Sequence, residues 1–152
     1  MEKKKKTQIQ FKIVKIKKLS YYENNLQQLG LKEKKIKNSN VDYGASLSID
    51  GKTGTVSFTT IAKFYVEKQT KRFDLFGIEA LHSFRIRNFS DVIPSLNSDE
   101  FKIPNDIMHL FLNISISGMR GMIALLNTKP EYCELVFPIV NTEKLLDDLK
   151  NK

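Results

Sequence analysis

Few residues in this chain have the type and spacing that chemistry requires. Arg120 is the most conspicuous, set between two glycines and two methionines in "SGMRGMIALL" (residues 117–126), ahead of an apolar run that ends at Leu126. A guanidinium in such a place could bind an anion or complement the carbonyl end of a helix. His82 and His109 fall on different expected elements, neither with a second ligand at metal spacing, so both read as satisfied or surface side chains. Cys133 follows Tyr132 on an expected strand and reads as a small buried hydrophobe. The acid pairs Asp99–Glu100 and Asp147–Asp148 lie in turn-like and helix-surface contexts, where carboxylates are solvated. There is no Gly-rich phosphate loop, HExxH, GxSxG or CxxC. The inventory points to a binding protein and not an enzyme, with no metal and no cofactor.

The elements that must position these residues are legible from periodicity. Residues 7–16 alternate, with Ile9, Phe11 and Ile13 on one face, and then change phase at Val14 and Ile16. A phase change inside a strand predicts a bulge or a sheet edge. Residues 20–40 are polar with scattered Tyr21, Tyr22, Leu26, Leu29 and Leu31, the pattern of a long crossing loop. Residues 41–49 and 55–67 alternate cleanly around the turn "DGKTG", and "EKQTKR" leads into an extended segment over 73–87 broken by Gly77. Beyond Pro104 the period becomes helical through Ile107, Leu110, Phe111, Ile114 and Gly118, with Asn105 or Asp106 as the cap. So apolar a helix needs burial on more than one side. An extended stretch to Pro138 is expected next. The terminal "NTEKLLDDLKNK" reads as a short amphipathic helix capped by Asn141 or Thr142, with Leu145, Leu146 and Leu149 on one face.

At 152 residues the chain is one domain, residues 1–152, with 41% hydrophobic residues to form a core. No window approaches the eighteen apolar residues of a membrane span, the N-terminus lacks the continuous apolar region of a signal peptide, and a lone cysteine suits a reducing compartment. The expected location is the cytoplasm. The net charge of +8 is concentrated at one end: residues 1–38 carry twelve lysines against three acids (12 − 3 = +9), and the remainder carries thirteen bases against fourteen acids (13 − 14 = −1). Lysine with almost no arginine suits a solvated strand face better than base readout.

Taken together and in order, these segments resemble the SecB family of bacterial export chaperones and its more diverse SecB-like relatives. "FKIVKI" followed by "SYYEN" is similar to that family's opening F-x-I-x-x-I strand and its S-F-E ending, and "GIEALHSFRI" to its last strand. "IPNDIMHLFLNISISGMRGMIALL" is similar to the family's long helix through Pro104 and the Arg120–Gly121 pair, and "FPIVNTEKLL" to its L-x-P-V-N-F-x-x-L segment through Pro138, Val140, Asn141 and Leu145. The resemblance implies an α+β fold: a four-stranded antiparallel sheet with a long helix and a short C-terminal helix, assembled as a dimer of dimers. It implies an ATP-independent holdase that keeps unfolded or nascent polypeptides in hydrophobic grooves, serving protein export or a toxin–antitoxin module, with an antitoxin as a possible partner. Typical SecB is acidic where this chain has Lys15, Lys17 and Lys18, which argues against docking of the motor SecA.

Three sets of residues follow. A client groove is expected from Tyr21, Tyr22, Leu26, Leu29, Leu31, Tyr43, Phe137, Leu145, Leu146 and Leu149, with the crossing loop and the last helix as walls. An oligomer interface is expected from Ile9, Phe11, Ile13, Ile107, Leu110, Phe111 and Ile114. Arg120 and Gly121 are expected to end the long helix, the cation complementing the helix dipole and bonding either the last carbonyls or the loop to Pro138, and the glycine taking the left-handed position. The alternative function is a nucleic-acid or polyanion binder that uses the lysine-rich strand and loop, with Tyr21 and Tyr22 as stacking platforms.

Overall fold

The computed structural model describes residues 8–32, 36–92 and 103–151, without the side chains of Asp91 and Val92. Four long strands form one antiparallel sheet: β1 (Phe11–Glu23), β2 (Asn40–Asp50), β3 (Thr55–Lys68) and β4 (Lys71–Ile86), in the order β1-β4-β3-β2. Three helices follow: the single turn α1 (Phe89–Val92), the long α2 (Asn105–Leu126) and the terminal α3 (Thr142–Lys150). The expected α+β architecture is therefore observed.

Alternation makes the sheet two-faced. On β3, Val56, Phe58, Thr60, Ala62, Phe64 and Val66 are all buried, and on β4 the inward positions run Phe76, Ile78, Ala80, His82, Phe84, Ile86. The helices cover this face. Met108, Phe111, Leu112, Ser115, Ile116, Met119 and Ile123 form the inner side of α2, spaced three and four apart as a helical stripe must be. Phe111 stacks on Phe84 at 4.2 Å between ring centroids, and Phe11 meets Phe111 edge-on at 4.8 Å. A second aromatic group lies further along, where Phe64 stacks on Phe76 at 4.2 Å and Phe137 and Tyr132 pack beside them.

Two glycines permit close approach. Gly118 of α2 rests on the His82 ring where any Cβ would overlap it, and Gly77 of β4 leaves room for the Tyr22 ring. The β3–β4 turn is tight: Gln69 and Thr70 both take positive φ, 49° and 67°, with neither a glycine nor an asparagine there.

Several expectations need correction. The phase change in β1 is two bulges, at Ile13/Lys15 and Lys18/Ser20, so the strand runs on to Glu23 and the crossing connection begins only at Asn24. α2 does not end at Arg120–Gly121. It continues to Leu126 because Ile123, one turn beyond Met119, still faces the core, and Gly121 lies inside the helix without a positive φ. Its cap at Asn127 donates its backbone N–H to the Ile123 carbonyl, and the Asn127 amide donates to the Tyr132 carbonyl at 2.6 Å. At the other end Pro104 holds the cap position with no side-chain cap, while Asp106 accepts from the Ile107 N–H within the first turn. α2 is long and apolar enough by length and composition to cross a bilayer, contrary to the window reading, but here its inner stripe is the lid of the core. Residues 127–140 contain turns and no strand, and Cys133 is exposed, its thiol near the Pro130 carbonyl. Asn141 does cap α3, its side chain accepting from the Lys144 N–H at 3.1 Å.

Candidate functional site

The strand order decides which expected site residues can meet. β1 and β2 are opposite edges of the sheet, so Tyr21 and Tyr22 on β1 are separated from Tyr43 on β2 by the width of β4 and β3. Tyr21 and Tyr22 also point to opposite faces. Tyr21 shares its side with Ile78 and donates its hydroxyl to the Leu126 carbonyl at 3.4 Å, whereas Tyr22 covers Gly77. Burial and the neighbouring Glu23 push the Tyr21 hydroxyl up to about 12, so it stays a neutral donor at any physiological pH. Leu26 and Leu31 of the crossing connection are buried in the core and Leu29 packs against it; Leu145 and Leu146 are buried beneath α3, and Leu149 is partly covered. Tyr43 and Phe137 of the expected groove meet edge-to-face at 5.9 Å. Most of the expected groove is protomer core, because a stripe sparse in sequence is filled by the nearest apolar neighbour.

Among the residues expected at an oligomer interface, Phe111 is fully buried within the protomer by its contacts with Phe84 and Phe11. The others are half-buried (Ile9, Phe11, Ile107, Ile114) or exposed (Ile13, Leu110). Ile13 and Ile16 pair with Phe84 and His82 and so face the helix side of the sheet, yet α2 does not reach far enough to cover them, and Ile16 remains 57% exposed. Along the flank of α2 that meets Phe11 stand Ile107, Ile114 and Met122, half-buried, with Leu110 exposed beside them.

The other flank of α2 faces the segment leading to α3. Arg120 donates from Nη2 to the Pro138 carbonyl at 2.7 Å, and its guanidinium lies 5.7 Å from the centre of the Phe137 ring. Of the two partners expected of Arg120, it thus takes the loop at Pro138 and not the carbonyls of its own helix end. Between the two elements is an open cleft of about 140 Å³ lined by Arg120, Ile123, Ala124, Asn127, Cys133, Leu135, Val136 and Phe137. On its loop side Val136 is 75% exposed and Ile139 95%, while Leu125, 81% exposed, stands on the opposite flank of α2, in line with Ile107 and Ile114. Each of the three lies in an apolar run that mixes buried and exposed members (Ile123 and Phe137 inside, Ala124 outside), so apolar character along the sequence did not mark them.

Comparison with known proteins gives limited company. No family model and no curated protein sequence matches the chain. Among solved structures, the chain is similar to a SecB-like chaperone of Mycobacterium tuberculosis in complex with a peptide from the HigA1 antitoxin, with 11% identity, a TM-score of 0.49, and coverage of 86% of this chain and 90% of that one. It is also similar to a protein of unknown function from Streptococcus agalactiae, with 12% identity, a TM-score of 0.27, and coverage of 87% and 99%.

The outer face of the sheet is polar. Lys12 stands directly opposite Arg85, and Lys15 and Lys17 follow on the same strand, all exposed and, among the described residues, without an acidic partner within ion-pair distance. At the far side Arg72 bridges Asp42 (2.5 Å) and Asp74 (2.7 Å) while lying over the Tyr65 ring, which fastens β2 to β4 across β3. Among the described residues no three His, Cys, Asp or Glu side chains gather as metal ligands would. His109 is a half-exposed residue of α2; His82 is neither satisfied nor at the surface, being 1% exposed with both ring nitrogens unpartnered.

Proposed function

We propose that this chain is an ATP-independent holdase chaperone of the SecB-like kind, which binds unfolded or nascent polypeptide on apolar surface and works as a homotetramer. The observation that carries the reading is the uncovered apolar surface on both flanks of α2: Ile13, Ile16, Leu110 and Leu125 on one side, Val136 and Ile139 on the other. Scattered surface hydrophobes are ordinary, but contiguous patches mark binding sites. The sequence resemblance along nearly the whole chain supports the same reading. The β1-side flank suits self-association, and the flank around Arg120 suits a client. An antitoxin partner, as in the mycobacterial complex, and service to an export pathway are both compatible with such a surface; the lysines on β1 argue against SecA.

The test is suppression of thermal aggregation of an unfolded model client at low micromolar concentration, with light scattering for assembly. The expected results are protection that persists in moderate salt and a species of 4 × 17.5 = 70 kDa. A stable monomer at tens of micromolar that gives no protection would refute the reading. A second reading, polyanion binding, rests on the unneutralised Lys12, Lys15, Lys17 and Arg85 of the outer face. Tyr21 and Tyr22 cannot serve it as stacking platforms, because one is tied to α2 and the other lies on Gly77. Its signature is affinity for single strands falling with log salt at about −0.7 per phosphate contacted.

A further inference from the structure

We infer that the cleft beside Arg120 is a specificity pocket that takes an apolar side chain immediately followed by an acidic one in an extended client segment. The inference rests on the holdase reading and says what such a client must carry. The cleft offers apolar walls from Ile123, Leu135, Val136 and Phe137 and a volume of about 140 Å³, room for a single side chain. Its one charge is the Arg120 guanidinium. A guanidinium has five N–H donors, and the Pro138 carbonyl is the acceptor that Arg120 has within the protein. No carboxylate lines the cleft, and among the described residues none lies within ion-pair distance of Arg120. A cation fixed by a backbone carbonyl and an aromatic ring, in apolar surroundings, is complementary to a carboxylate, and the planar fork can take it in bidentate fashion. The cleft is open to solvent, and its loop wall continues as exposed apolar surface through Val136 and Ile139. A chain can therefore pass across the cleft, and the carboxylate comes from an internal Asp or Glu and not from a chain end.

Ala124, exposed and one helical turn beyond Arg120, gives the test. Ala124→Glu places a carboxylate at i+4 from Arg120 and neutralises it from within, and Ala124→Gln fills the same space without charge. The probes are short, fluorescein-labelled Gly/Ser-rich peptides carrying one Leu-Phe-Asp element, with Leu-Phe-Asn and Leu-Phe-Lys controls. Their binding is read by fluorescence anisotropy, and protection of the lone thiol Cys133 from iodoacetamide reports occupancy of the cleft. The wild-type protein should bind the Asp peptide about threefold to tenfold tighter than the Asn peptide, the range for a charge-assisted bond at a partly exposed site. Ala124→Glu should abolish that preference, whereas Ala124→Gln, which narrows the cleft that Ala124 lines, should weaken both peptides and keep their ratio, with slower Cys133 alkylation only where the Asp peptide binds. Equal affinity for the Asp and Asn peptides, no binding of either, or a preference that survives in Ala124→Glu would overturn the inference. The aggregation assay separates the two claims: protection without an Asp preference removes only the pocket, and failure of both removes the holdase reading as well.

Discussion

Replacing His82 with leucine should make this protein more stable and less sensitive to acid. The imidazole lies between β4 and α2, opposite Phe58 and Ile16 on the neighbouring strands and pressed on by Gly118. Neither nitrogen has a partner. An unsatisfied buried polar group costs about 1–3 kcal/mol, so an aliphatic side chain should recover about 1–2 kcal/mol after imperfect packing is allowed for. Burial also lowers the His82 pKa from its ordinary 6.5. The groups nearest it are apolar or neutral (Phe58 and Thr60 on β3, Ser115 and Gly118 on α2), and the nearest charge on the same face of β1 is Lys18, opposite Ala80, which disfavours a second cation, with Glu23 at the far end of the strand opposite Phe76. A depressed histidine pKa means that the unfolded chain binds the proton more readily. Stability should therefore be complete above pH 6.5 and fall as the pH drops below it, by at most about 1.4 kcal/mol per unit until the folded-state pKa is reached. Urea denaturation of wild type and His82→Leu at pH 7.5, 6 and 5 measures both effects. The reasoning fails if the two proteins lose stability in parallel across that range, or if the leucine variant is the less stable by about 2 kcal/mol or more at neutral pH, since that would mean the imidazole makes bonds that leucine cannot replace.

Other perturbations test other parts of the fold. Gln69→Asn with Thr70→Gly should stabilise the β3–β4 hairpin by about 1–2 kcal/mol in urea titrations, because both positions have the positive φ that a β-branched residue adopts only with strain. Gly118→Ala should cost about 1–3 kcal/mol by overpacking on His82, and the cost should shrink in a His82→Ala background. Leu145→Asp with Leu149→Asp should unfold α3 and lower the melting temperature, because Leu145 is buried in the core and a buried unpaired carboxylate is costly. A variant that keeps its melting temperature and loses only client protection would restore those leucines to a groove.

The strands were legible because long alternation leaves little choice of period, and the first bulge of β1, at Ile13/Lys15, showed as a change of phase while the second, at Lys18/Ser20, did not. Asn141 was legible as a cap because it stands immediately before an amphipathic run. The end of α2 was not. Arg-Gly has the chemistry of a helix stop, but Met119 and Ile123 carry the buried stripe past it, and tertiary burial outweighs a local preference of under about 1 kcal/mol. The groove failed for a different reason. Periodicity assigns a residue to a face without saying which strand will lie beside it, so Tyr21 and Tyr43 looked compatible until the order β1-β4-β3-β2 put them on opposite edges. The cleft at Arg120 depends on the path of residues 127–140, which follow no regular period at all.

The pairing of β1 with β4 also sets a schedule for synthesis. β2, β3 and β4 join through adjacent hairpins, but Glu23 waits for Phe76 and Phe11 for Ile86, between 53 and 75 residues further along the chain. At the usual pace of translation, about 5–20 residues per second, that strand emerges roughly 3–15 s before its partner exists. An unpaired strand of Phe, Ile and Val is then an invitation to its counterparts on neighbouring ribosomes. Lys12, Lys15, Lys17 and Lys18 interrupt it at nearly every second or third position, and like-charged strands repel one another at such spacing. The concentration of lysine at this end of the molecule acts before folding, as protection for the one strand that has to wait.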